Sequence, residues 1–218
     1  MCIIVASRIG CKQPSLDVLR ACFENNPDGA GYMYARDGEV HIHKGFMDWK
    51  DFARAVTREK FTKEDSVVYH FRISTQAGVK PEMTHPFPLT PNREACEKLD
   101  MICPVGIAHN GIIHMTSDHK QTRFSDTVIF ITQFMTKLIR NPDDLTDDAV
   151  KIMIDHLTNS KWAIMDGRGE VAIIGQFINK EGILYSNTTF HENYRLPTTF
   201  RGKQLSAIHD DDSYYYDF

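Results

Sequence analysis

Cys2 directly follows Met1. Removal of that methionine would put a thiol and a free α-amine on one residue, which is a complete nucleophile and base. An α-amine titrates at about 7.7–8.0, so near neutral pH it can take the thiol proton directly or through a water. Methionine is normally trimmed when a small residue follows, and cysteine is small. A retained Met1 would lock the amine in a peptide bond and leave a precursor or inactive form. Downstream, Arg72, Asn110-Gly111 and Ser125-Asp126 stand in polar segments far apart in the chain. Taken singly each has an ordinary reading. Arg72 reads as a surface ion-pair partner, Asn110-Gly111 as a turn, and Ser125-Asp126 as a helix cap. His41 and His43 share one strand face, but a metal site would need a third ligand at a recognisable spacing.

The whole chain sets the limits. Its 218 residues suit one domain, or one domain with a tail. That is enough to bury a core without a disulfide or metal staple. A formal net charge of -4 argues against general nucleic-acid binding. No apolar run is long enough to span a bilayer, and no signal-peptide stretch follows Arg8 and Lys12. A cytoplasmic protein is expected. Cys2, Cys11, Cys22, Cys96 and Cys103 are widely spaced and include no Cys-x-x-Cys pair. A zinc ribbon or redox motif is therefore not expected. In a reducing compartment the last four read as small hydrophobes, with Cys96 and Cys103 packed or in a loop.

The elements that must position these residues follow from periodicity. Strands are expected at 2–7, 31–35, 39–44, 66–73, 105–109, 162–165, 171–177 and 182–186. Asp37-Gly38 closes a hairpin. Helices are expected over 16–25, with Leu16, Leu19, Cys22 and Phe23 on one face, and over 49–56, capped by Asp48. A third runs from Ser125 to Leu138, started by Ser125 or Asp126, with Val128, Ile131, Phe134, Met135 and Leu138 on one face. A fourth covers 149–157. Residues 81–91 contain four prolines and read as mostly loop. No periodic apolar pattern continues past about residue 197, and the end is acidic and aromatic (Tyr214-Tyr215-Tyr216-Asp217-Phe218). It reads as a frayed tail, or as a docking peptide. Hairpins mixed with helices predict an α+β fold, largely antiparallel, with helices outside.

In order and spacing, Cys2, Tyr69-His70-Phe71-Arg72-Ile73-Ser74-Thr75, Ala108-His109-Asn110-Gly111-Ile112-Ile113 and Phe124-Ser125-Asp126-Thr127 together resemble the class II glutamine amidotransferase domain, the N-terminal-nucleophile glutaminase. Asn26-Pro27-Asp28-Gly29-Ala30-Gly31, His85-Pro86-Phe87 and Tyr185-Ser186-Asn187-Thr188 are weaker echoes. The likeness spans about residues 2–190. It implies a four-layer αββα N-terminal-nucleophile hydrolase fold over 2–196, with a C-terminal extension over 197–218.

The resemblance also implies roles. Cys2 would attack the side-chain carboxamide of L-glutamine and form a thioester, with its α-amine as base. Asn110 and the Gly111 N–H would hold the oxyanion, and a glycine at 111 would free the backbone to aim that N–H. Arg72 suits the substrate carboxylate, Asp126 the ammonium, and Thr75 an added polar contact near Arg72. His109 would support the turn rather than act as a base. No cofactor and no metal are expected. Ile3 stands where the family has glycine, and Gln76-Ala77-Gly78 departs from its pattern after the threonine. No second domain to use ammonia is expected after about residue 190, so either a separate synthetase or transferase would accept it, or the chain would be a free-standing amide hydrolase. Two other readings stay open: an amidase acting on another γ-glutamyl or acyl amide, and a non-catalytic interaction module that keeps the fold.

Overall fold

The computed structural model of the chain describes residues 2–74, 79–114 and 123–191. Thr75 and the expected 197–218 extension lie outside them. Within them the chain is mixed α and β, with two antiparallel sheets and several helices.

The first sheet contains β1 (Ile3–Ser7), β2 (Ala30–Arg36), β3 (Glu39–Phe46), β4 (Val67–Phe71), β6 (Asp100–Cys103), β10 (Ile178–Lys180) and β11 (Ile183–Tyr185). Its strand order is β10-β11-β1-β4-β2-β3-β6. The second joins β5 (Phe87–Pro88), β7 (Val105–Asn110), β8 (Lys161–Asp166) and β9 (Val171–Ile174), in the order β5-β7-β8-β9. The β2–β3 hairpin turns at Asp37 and Gly38, both at positive φ (56° and 81°). That pairing of signs matches the right-handed twist of the strands it joins.

Helix α1 (Leu16–Asn25) begins at Ser15, whose hydroxyl accepts the Val18 N–H at 3.3 Å. Leu19, Cys22 and Phe23 are buried beneath it as its period requires, whereas Leu16 in the first turn is exposed. Helix α2 (Trp49–Glu59) is capped by Asp48, which accepts the Lys50 N–H at 2.8 Å. Both helices pack on one face of the first sheet, over Ile3, Val5, Tyr32, Tyr69 and Phe71. The opposite face of that sheet meets the second sheet. Ile4, Ala6, Met33 and Val68 pack there with Ala108, Ala163 and Met165. Alternation along β1 thus sends neighbouring residues into two different cores.

The second sheet's outer face carries Val105, Ile107, Trp162 and Ile164. It is covered by α3 (Asp126–Phe130), a π-helical turn at Ile131–Met135, α4 (Thr136–Leu138) and α5 (Asp148–Thr158). Trp162 is fully buried, and its indole N–H donates to Thr158 Oγ1 at 3.0 Å. The polar end of this large apolar ring is thereby satisfied.

The sequence expectation of one regular helix over 125–138 is corrected by the π turn. A π turn widens the helix and shifts every later residue around its axis. Phe134, expected on the buried face, is 43% exposed, while Ile129, Phe130 and Thr132 are buried. The proline-rich 81–91 stretch is mostly loop, as expected. It contains a 3₁₀ turn at Pro81–Met83 and the short strand β5. Strands β6 and β10 are too short and mixed to announce themselves by alternation. No helix among the described residues is long and apolar enough to cross a membrane.

Candidate active site

Cys2 sits at the entry to β1, in the middle of the larger sheet. Antiparallel pairing sets Ile3 opposite Phe71, so Cys2 runs beside the end of β4. Its sulfur accepts the Ile73 N–H at 3.4 Å and donates to the Ile73 carbonyl at 3.5 Å. Its own carbonyl accepts the Asn187 side-chain amide at 2.7 Å. Burial pushes the thiol pKa up. The Ile73 backbone bond and the Arg72 charge pull it only part of the way back. The thiol therefore needs a base to become the nucleophile.

Arg72 leaves β4 directly beside that sulfur. It is only 5% exposed, which overturns the surface ion-pair reading of this residue alone. Its backbone is fixed from both sides: the N–H donates to the Gly29 carbonyl at 2.8 Å, and its carbonyl accepts the Asp28 N–H at 2.9 Å. Its guanidinium donates to Ser74 Oγ at 3.2 Å. Burial lowers its pKa, while Cys2, Asp28 and Asp126 oppose that shift. These three groups therefore lie within electrostatic reach of the guanidinium.

Asn110 comes from the other sheet, at the end of β7. It is buried, and its amide nitrogen donates to Ser186 Oγ at 2.9 Å. That hydroxyl also accepts the Ile4 N–H at 2.9 Å. Ser186 therefore joins the oxyanion candidate to the strand that carries Cys2. An amide nitrogen has two hydrogens, so one bond to Ser186 leaves a second donor.

Gly111 is not at positive φ, and packing makes a further demand for glycine here. A Cβ at this position would fall 2.2 Å from Ser160 Oγ and 2.7 Å from Ser160 Cβ. Close packing against Ser160 leaves no room for a side chain here.

Asp126 opens α3, with Ser125 before it as the cap accepting the Val128 N–H at 3.3 Å. The Asp126 carboxylate accepts the Thr127 N–H and the Ile113 N–H, each at 2.8 Å. It thus ties the start of α3 to the segment after Gly111 and still has lone pairs to accept an ammonium.

His109 points away into the outer core of the second sheet. It stacks on Trp162 with centroids 4.1 Å apart, and its Nδ1 meets Thr127 Oγ1 at 2.8 Å. His43 bonds Asp100 at 2.7 Å, and His41 stacks on Tyr34. Cys96 and Cys103 are buried, and none of the five cysteines is in a disulfide.

Asp28, Ser74, Ser186, Asn187 and Lys161 belong to the site but are not prominent in the sequence. Ser74 donates its N–H to Asp28 Oδ2 at 2.8 Å, and Lys161 donates to the Ser186 carbonyl at 2.5 Å. The Asn26–Gly31 turn and the Tyr185–Thr188 segment were signals for three of them, as weak echoes of a pattern. Ser74 stands within the Tyr69–Thr75 segment without a role of its own, and Lys161 carries no signal.

No protein-family profile matches this chain, and no curated protein matches it either. The site's chemistry must be argued from its residues. They supply a thiol, a buried guanidinium, a carboxylate at a helix start and a carboxamide drawn from the opposite sheet.

Proposed function

We propose that this chain is a class II glutamine amidotransferase-type glutaminase, with the αββα layering of N-terminal-nucleophile hydrolases. The stacking of α1 and α2 outside one sheet, and of α3 to α5 outside the other, supports that layering. The observation that carries the function is the buried Arg72 emerging beside the Cys2 sulfur, with Asp126 in range of its charge. A cation and an anion so placed match the carboxylate and ammonium of a free amino acid.

Once Met1 is removed, the Cys2 α-amine takes the thiol proton. The sulfur attacks the glutamine carboxamide carbon, and negative charge gathers on its oxygen. The Asn110 amide and the Gly111 N–H are the donors for that oxygen. Collapse of the adduct breaks the C–N bond, and the protonated α-amine returns its proton to the departing ammonia. Water then cleaves the thioester, releasing glutamate and the free thiol.

Intact-mass analysis after exposure to 6-diazo-5-oxo-norleucine tests this directly. The expected result is loss of Met1 and one adduct, mapped to Cys2 and absent from Cys2→Ala. Folded protein lacking Met1 that takes no adduct rules the reading out.

A further inference from the structure

The segment that follows β11 contributes no obvious chemistry, yet it touches both halves of the site. Ser186 is fully buried and forms four hydrogen bonds in which three different strands take part. Its Oγ accepts from Ile4 of β1 and from the Asn110 amide of β7, both at 2.9 Å. Its N–H donates to the Ile4 carbonyl at 3.0 Å, and its carbonyl accepts Lys161 Nζ from β8 at 2.5 Å. The next residue, Asn187, holds the Cys2 carbonyl at 2.7 Å. Asn187 is itself fixed: its Oδ1 accepts the Thr189 N–H at 3.0 Å and the Thr189 hydroxyl at 2.8 Å. Thr189 Oγ1 in turn accepts the Asn26 amide at 3.0 Å.

A carboxamide on a strand end has several rotamers, and only one aims its nitrogen at a given point. A serine hydroxyl accepting one of its two N–H groups selects that rotamer and leaves the other N–H to the reacting oxygen. Because the same oxygen holds Ile4, two residues from Cys2, the spacing between sulfur and amide is set by one atom. We infer that Ser186 is a positioning residue, which orients the Asn110 amide toward the oxyanion and registers it against Cys2 across the two sheets. Its catalytic part rests on the glutaminase reading. Its anchoring part stands on the geometry alone.

The experiment has two readouts. In ¹⁵N-labelled protein the Asn110 side-chain amide pair is identified by its loss in Asn110→Ala. Ser186→Ala is expected to move that pair upfield, because one hydrogen bond is gone. An unmoved pair overturns the anchoring. Should Ser186→Ala fail to fold, Ser186→Cys keeps the size with a weaker acceptor, and the same displacement is expected.

The second readout is turnover of glutamine. Ser186→Ala is expected to lower kcat about 10- to 100-fold with KM nearly constant. Iodoacetamide, whose reaction forms no oxyanion, should still label Cys2. If Ser186 acts through Asn110, the double variant Asn110→Ala/Ser186→Ala is no slower than Asn110→Ala alone. Losses that multiply in the double variant overturn the positioning role. Wild-type protein that releases no ammonia overturns the glutaminase reading instead, and with it the catalytic part. The amide shift then decides the anchoring by itself.

Discussion

Ser74 donates its backbone N–H to the Asp28 carboxylate at 2.8 Å, across 46 positions of chain. Asp28 also gives its own N–H to the Arg72 carbonyl at 2.9 Å. One residue of the turn before β2 thus grips the strand end that carries the guanidinium. Asp28→Ala keeps the second bond and loses the first, a charge-assisted bond worth about 1.5–3 kcal/mol. Steady-state kinetics should show KM for glutamine raised several-fold, with a smaller change in kcat. An unchanged KM would show that Arg72 holds its place without this grip.

Arg72→Lys separates charge from shape. The substitution keeps a cation near Cys2 but removes the planar fork that can pair with a carboxylate through two bonds. KM for glutamine should rise about 10- to 100-fold, since a strong charge-assisted bond is worth about 1.5–3 kcal/mol. The rate of iodoacetamide labelling at Cys2 should change little. Equal losses in both assays would mean that Arg72 tunes the thiol and does not read the substrate.

Gly111→Ala tests the contact with Ser160. The new methyl would lie 2.2 Å from Ser160 Oγ, so the chain must shift. Overpacking of this kind costs about 1–3 kcal/mol. Thermal unfolding should register it, and kcat should fall as the Gly111 N–H moves. Adding Ser160→Gly should recover much of the stability. Ser160→Ala should recover less, because its Cβ still stands 2.7 Å away. A Gly111→Ala protein as stable and active as wild type would contradict this packing.

The sheet order could not be read from the sequence, but most strands and caps could. Asp48 and Ser125 precede apolar helical periods, and Asp37-Gly38 sits between two alternating runs, so local chemistry marks them. β10 and β6 do not stand out, because Ile178–Lys180 is exposed throughout and Asp100–Cys103 buries only Cys103. Cys2, Arg72, Asn110, Gly111 and Asp126 were singled out by the order and spacing of their segments, since each alone has an ordinary reading. Ser186 and Ser74 were not. A serine becomes informative only when its neighbours in space are known, and those neighbours are up to 182 positions away.

The π turn makes a prediction about stability alone. Phe134→Ser should cost about 1 kcal/mol or less, most of it from the ring contact with Phe130 at 5.5 Å. Ile131→Ala, at a fully buried position, should cost about 2–4 kcal/mol. Denaturant unfolding of both variants measures the difference. Equal losses would restore the regular helical register that the sequence period suggests.

Acid should destabilise this fold through three interior imidazoles. His70, His85 and His109 are buried, and the His70 and His85 rings stack with centroids 4.2 Å apart. Burial lowers the pKa of His70 and of His109 to about 3, and that of His85 well below its ordinary value. The native state therefore keeps them neutral, while the unfolded chain protonates them below about 6.5. The unfolded state then binds more protons, so stability falls as pH drops through 6.5 and continues falling toward 3. Each site contributes about 1.4 kcal/mol per pH unit once its unfolded form is fully charged. Lys44, pushed down to about 7 by burial, makes the same kind of contribution above pH 7 and adds little below it. Carboxylates titrate mostly below pH 5 in the unfolded chain, so the window from 6.5 to 5 isolates the histidines. Neither ring nitrogen of His85 has a hydrogen-bond partner among the described residues. His85→Phe should therefore be tolerated and should reduce proton uptake on unfolding by about one at pH 5. Denaturant melts at several pH values measure that uptake. An unchanged slope in His85→Phe would mean that His85 is already charged in the native protein.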